Sequence, residues 1–217
     1  MPMTTLLHKA LPLGSSRLRT AARAWPLAAG LFLVAGVLLA LAAPRPALAH
    51  ESHAGPLITF LSDNDALKEM LPADAALTRR KQALSPEGAA WAKSTLGVAV
   101  KPQMYEFILA RDKSGGQVVG AVMLLDTEVE HGEARLAVGV DAQGGITRAA
   151  VLSVNRKYVP EVTGQAGRGF IPDLTGATVA QAASRAAMAK GEVGRSVFGQ
   201  LRDMAAALAA LLHTLES

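Results

Sequence analysis

The spacing of apolar residues changes character along the chain, and each change predicts a different kind of element. Residues 25–43 form an unbroken apolar run of 19 residues, long enough to cross a hydrocarbon core of about 30 Å. Residues 57–96 read as helix with breaks at Pro72 and Pro86, because proline ends or kinks a helix. Ser85, Pro86 and Glu87 supply an N-cap, a proline suited to the first helical position and an acid in the first turn, so a helix opens there and runs to Leu96 and Gly97. From Tyr105 the period falls to two: Tyr105, Phe107 and Leu109 alternate, and β-prone runs follow over residues 117–125, 134–140 and 146–154. Residues 112–116 and 141–145 read as Gly- and Asp-rich turns, and residues 126–133 as a longer acidic connection. Helical spacing returns from Thr178 to about Lys190 and again from Ser196 to Leu215, where Val197, Leu201, Met204, Leu208, Leu211 and Leu215 make one stripe.

These runs predict an α+β fold: an antiparallel β-meander of about four strands with helices packed on it, preceded by one N-terminal export or transmembrane segment. The predicted organisation is a signal peptide or membrane anchor over residues 1–49, a linker or tail over 50–64, and a domain with a C-terminal helix over 65–217. Lys9, Arg17, Arg19 and Arg23 stand before the apolar run, and Ala47-Leu48-Ala49 after it has the small-x-small pattern of a signal-peptidase site, with His50 as the new first residue. Cleavage leaves a soluble periplasmic protein; retention leaves one anchored in the inner membrane by residues 25–43. In both, the positive flank stays inside and the rest of the chain lies outside the cytoplasm.

Export changes what the charge means. The chain has 22 Lys and Arg against 18 Asp and Glu, but five of the basic residues lie within residues 1–49, leaving 17 against 18. A near-neutral exported part is not a nucleic-acid binder, which needs a clustered basic surface. With no cysteine, disulfides, thiolate metal sites and Cys-based haem attachment are excluded. The fold is held by its core alone, and a domain of this size buries roughly 70% of its unfolded surface.

The candidate chemistry lies at Asp173-Leu174-Thr175-Gly176-Ala177-Thr178, ahead of an Ala-rich helix. The threonines of this block, Thr175 and Thr178, each offer a hydroxyl for an ester to phosphate. Gly176 and Ala177 keep the approach open, and the free amides of the following helix offset a diester's negative charge. The same residues also suit a plain helix cap, in which Thr175 or Thr178 only satisfies backbone amides.

The Thr-Gly-Ala-Thr block resembles the flavinylation motif of the FMN-binding domain family, whose members include subunits of the sodium-translocating NADH:quinone reductase and of the Rnf electron-transport complex. The likeness extends in order over roughly residues 65–190: Leu67 to Pro72, Leu96-Gly97, Tyr105 to Ala110, Val119-Gly120, Val138 to Asp141 with Gly144 and Ile146, and Val151-Leu152. It departs at Pro172, where the family carries an acid; Asp173 sits one residue closer to the tetrad. It also departs in a shorter segment before the tetrad. The resemblance implies covalent FMN on Thr178 through its phosphate, with Asp173, Thr175, Gly176 and Ala177 around it. It further implies a flavin transferase during maturation, membrane or periplasmic redox partners, and an electron carrier rather than a substrate-specific enzyme. The alternative is a flavin-free periplasmic module that binds a metal or a protein partner on the same fold.

Other positions carry weaker chemistry. His50 and His53, with a new terminal amine, could bind copper or zinc, or simply form a polar tail. Glu128, Glu130, His131 and Glu133 share one connection and could attract a cation, or read more simply as a solvated hairpin loop. Arg79-Arg80-Lys81 reads as a solvated helix face or a headgroup contact. No Gly-x-Ser-x-Gly elbow and no Gly-x-Gly-x-x-Gly after a strand occurs, which argues against a serine hydrolase and a nicotinamide site.

Overall fold

A computed structural model of the chain describes residues 54–114, 116–166 and 169–216. The predicted export segment, its cleavage site, His50 and His53 lie outside the described residues. The rest is α+β: seven strands in one antiparallel sheet and five α-helices. Among the described residues no helix is long and apolar enough to cross a membrane.

The predicted meander is its centre. β3 (Met104–Arg111), β4 (Val118–Val129), β5 (Gly132–Asp141) and β6 (Ile146–Asn155) are consecutive antiparallel neighbours. The acidic connection expected between β4 and β5 does not exist as a loop. The two strands run on until Val129 pairs with Gly132, and only Glu130 and His131 turn the chain. Glu130 takes φ 51°, the left-handed conformation that a two-residue hairpin demands. Charged side chains at Asp126, Glu128 and Glu133 hid these strand ends because their face is solvated.

The stretch expected to be helical from residue 57 to 96 divides differently. β1 (Leu57–Thr59) pairs with β6, so part of the expected linker is built into the fold. α1 (Asp63–Met70) follows, capped by Ser62, whose Oγ accepts the Asp65 N–H. Residues Ala76–Ala83 are then a strand, β2, paired with β3 through eight register positions. β2 is the edge of the sheet, almost wholly exposed, and it carries Arg79, Arg80 and Lys81. With neither face buried it shows no period-two pattern, and edge cations deter pairing with other chains. α2 (Pro86–Trp91) starts where the Ser85-Pro86-Glu87 signal places it, with Ser85 Oγ accepting the Gly88 N–H at 3.1 Å. It runs through a π-turn, Ala92–Leu96, to Gly97.

After β6 come α3 (Val159–Ala166), the short β7 (Gly169–Phe170), α4 (Val179–Met188) and α5 (Glu192–Glu216). α5 begins one turn earlier than its apolar stripe suggested and lies across β4 and β5, flanked by α2, α3 and α4. Residues 204–212 are consequently buried on every side. Leu201, Leu208 and Leu211 are fully buried, each contributing roughly 1.5–3 kcal/mol of transfer free energy. α1 covers the opposite sheet face, where Ala66, Met70 and Leu71 pack on Ala110, Val122, Ala137, Ala150 and Leu152. The contact is close because Gly139 has no side chain: a Cβ there would stand 2.9 Å from Met70 Cβ and 2.6 Å from Thr147 Oγ1. Thr147 Oγ1 donates to the Met70 carbonyl at 3.1 Å.

Candidate functional site

The chain reaches the tetrad by retracing β6. β7 pairs with Ala150 and Val151, Ile171 N–H donates to the Ala149 carbonyl, and Pro172–Leu174 form a 3-10 turn. Pro172 opens that turn, and its carbonyl accepts the Thr175 N–H. Next, Gly176 N–H donates to the Ile146 carbonyl at 2.8 Å, and Ile146 N–H donates to the Ala177 carbonyl at 2.9 Å. This reciprocal pair ties the tetrad to the first residue of β6. Gly176 has φ +70° with nothing within 4 Å of where a Cβ would be, so the backbone conformation rather than crowding demands glycine.

Leu174 and Ala177 are buried, whereas Asp173, Thr175, Gly176 and Thr178 are exposed. The alternation anchors the loop by two apolar side chains and leaves both threonine hydroxyls in solvent. Thr178 is the N-cap of α4 in a complete capping box: Gln181 N–H donates to Thr178 Oγ1 at 3.2 Å, and Thr178 N–H donates to Gln181 Oε1 at 2.9 Å. Capping accounts for one acceptor function of the oxygen, and among the described residues no Asp, Glu or His hydrogen-bonds to it. The hydroxyl is therefore accessible but not activated by any of the described residues. The amides of Val179 and Ala180 have no intrahelical acceptor and face the same end of the helix. The structure thus brings the five sequence-predicted residues, Asp173 and Thr175 to Thr178, onto one short exposed loop.

A second feature at this end of the sheet joins a turn the sequence showed to a side-chain pairing it did not. The β5–β6 turn is held by Asp141 Oδ1, which accepts the Gln143 and Gly145 N–H groups at 2.9 and 2.8 Å. Its Gly144 abuts Ala209 of α5. Beside it Trp91, at the end of α2, stacks on His213 of α5, with ring centroids 4.3 Å apart and planes 13° from parallel. Trp91, His213, Gln117, Gln143, Gly144 and Ala209 are among the residues lining a cavity of about 390 Å³. Only the tertiary fold joins residues so far apart in sequence.

Elsewhere, a cavity of about 340 Å³ lies between β3, β4 and the first half of α5, lined in part by Met104, Met123, Met204 and Tyr105. Burial pushes the Tyr105 phenol above its usual range, and its hydroxyl donates to the Lys101 carbonyl at 2.9 Å. On the opposite face Arg135 grips Asp63 through Nε and Nη2 at 2.9 and 2.8 Å and also bonds Asp126. That pairing holds the Asp63 carboxyl below the usual carboxylate range. Arg79, expected on a helix face, pairs with Glu106 across β2 and β3 at 2.8 Å. Glu128, Glu130, His131 and Glu133 stand on the tight hairpin, and among the described residues no three His, Asp or Glu side chains converge as a metal site. No family model, curated protein or solved structure matches the chain.

Proposed function

We propose that this protein is an exported electron carrier that holds FMN covalently, through its phosphate, on Thr178. The observation that carries the reading is an exposed hydroxyl at the N-terminus of a ten-residue helix, on a loop pinned to the sheet and open around Gly176. Pinning fixes where a tethered group sits, and exposure admits the enzyme that must attach it. Attachment forms the Thr178 Oγ–phosphorus bond, breaks the pyrophosphate bond of FAD, and releases AMP and the hydroxyl proton. Since among the described residues no side chain activates the hydroxyl, a flavin transferase supplies that chemistry. The Val179 and Ala180 amides and the helix dipole offset the negative charge that remains on the diester. FMN when bound supplies one- and two-electron chemistry, and the protein around it tunes the potential. Outside the cytoplasm a tether makes the cofactor's effective concentration permanent.

The intact mass of the exported protein, matured with a flavin transferase and FAD, tests this. A mass increase of one FMN that is absent in Thr178→Val is the expected result. An unmodified protein sinks covalent flavin, and a mass increase surviving in Thr178→Val removes Thr178 from the role. The flavin-free alternative has one observation in its favour: among the described residues no strand pairs with the outer edge of β2, which carries Arg80 and Lys81 and suits docking of an acidic partner.

A further inference from the structure

Resting on the reading that Thr178 carries FMN, we infer that the isoalloxazine ring docks in the cavity beside Trp91 and His213. Reach permits it. Ala177 O accepts the Ile146 N–H and Gly144 stands two residues before Ile146, so Thr178 and Gly144 lie within roughly 12 Å of each other by backbone dimensions. The ribityl arm of FMN, a run of single bonds between phosphate and ring, spans roughly 8 Å when extended, and the ring continues beyond it. Both sites are on the face of the sheet that α5 covers: Ile146 and Val179 pack into that core, and Gly144 abuts Ala209 of α5.

The lining has the chemistry a flavin ring needs. Trp91 lines the cavity, half-buried and stacked on His213, and aromatic rings meet favourably in offset-stacked or edge-to-face contact. Gln117 and Gln143 bring amide donors and acceptors to the same cavity, matching the alternating carbonyl and N–H edge of the pyrimidine side of the ring. Lys, Arg, Asp and Glu are not among the lining residues, which suits a neutral oxidised flavin.

Tryptophan in contact with a flavin quenches its fluorescence by electron donation, and phenylalanine does not. Trp91 is the sole tryptophan of residues 50–217, so it is a built-in reporter. The experiment compares flavin emission per attached FMN, counted by intact mass, in the parent protein and in Trp91→Phe, which keeps an aromatic ring against His213. It also measures iodide quenching of the parent flavin, which needs no variant to fold. Docking predicts dim emission that rises severalfold in Trp91→Phe, and severalfold protection from iodide relative to free FMN. A parent protein that carries FMN on Thr178 yet emits as brightly and is quenched as readily as free FMN overturns the docking and leaves the attachment standing. A parent protein that gains no FMN mass overturns both.

Discussion

Replacing Thr178 by alanine and by asparagine separates what its hydroxyl does for the fold from what it is proposed to do for flavin. Alanine deletes the bond from Gln181 N–H to Thr178 Oγ1 at 3.2 Å and leaves the reciprocal bond from Thr178 N–H to Gln181 Oε1 at 2.9 Å. Losing a threonine cap costs about 1 kcal/mol, within a range of roughly 0.5–2. The deleted bond is long and exposed, which places the cost in the lower half of that range. A domain of this size loses about 2–4 °C of Tm per kcal/mol, so Thr178→Ala melts about 2 °C lower. Asparagine caps at least as well as threonine and has no hydroxyl, so Thr178→Asn keeps the parent Tm. Thermal melts of the flavin-free exported protein, followed by circular dichroism, read the first property, and intact mass after exposure to the transferase reads the second. The expected pattern is a lowered melt only for alanine and no flavin on either variant, with Thr178→Ser both stable and flavinylated. An asparagine variant that melts as low as alanine refutes the capping argument, because the acceptor has been kept and the stability still lost.

Other expectations concern the frame that positions the loop. Leu208→Ala, at a fully buried position of α5, lowers unfolding free energy by about 2–5 kcal/mol in urea titration; a loss under about 1 kcal/mol contradicts the all-round burial of residues 204–212. Gly139→Ala sets a methyl 2.9 Å from Met70 Cβ and 2.6 Å from Thr147 Oγ1, and the overpacking destabilises by about 1–3 kcal/mol, measured the same way. The Asp63 carboxyl is held low by Arg135, so its contribution is present above its unfolded pKa of about 4 and lost as the pH falls through the folded value. Both groups are partly exposed, so Asp63→Asn costs under about 1 kcal/mol at neutral pH and nothing at strongly acid pH. A deficit that persists undiminished in acid rules out the ion pair as its cause.

Much of the frame was legible in the chain. Strands β3 to β6 announced themselves through alternation and Gly/Asp turns because each buries apolar side chains against helices. Ser85-Pro86 and Thr178 marked helix starts because capping is local chemistry, complete within three or four residues. The stripe from Val197 to Leu215 foretold α5 because apolar positions three and four apart mark a buried helix face, while the all-round burial of residues 204–212 came only with the packing. The tetrad was legible as a helix start bearing an accessible hydroxyl, and the structure adds that Leu174 and Ala177 point inward while Thr175 and Thr178 stay in solvent.

The tertiary structure alone decided what depends on distant partners. β1 and β2 are strands because β6 and β3 offer them hydrogen bonds, and backbone pairing leaves no trace in side chains that stay exposed on an edge. The β4–β5 hairpin closed at Glu130 and His131 because the register continued through charged, solvated positions. The bonds between Ile146 and the tetrad, and the meeting of Trp91 with His213 beside the β5–β6 turn, join segments tens of residues apart or more. Sequence determined which segments bury apolar faces and where helices start, since those are local or periodic properties; position in space, and with it any cavity, was set only when all the faces were buried together.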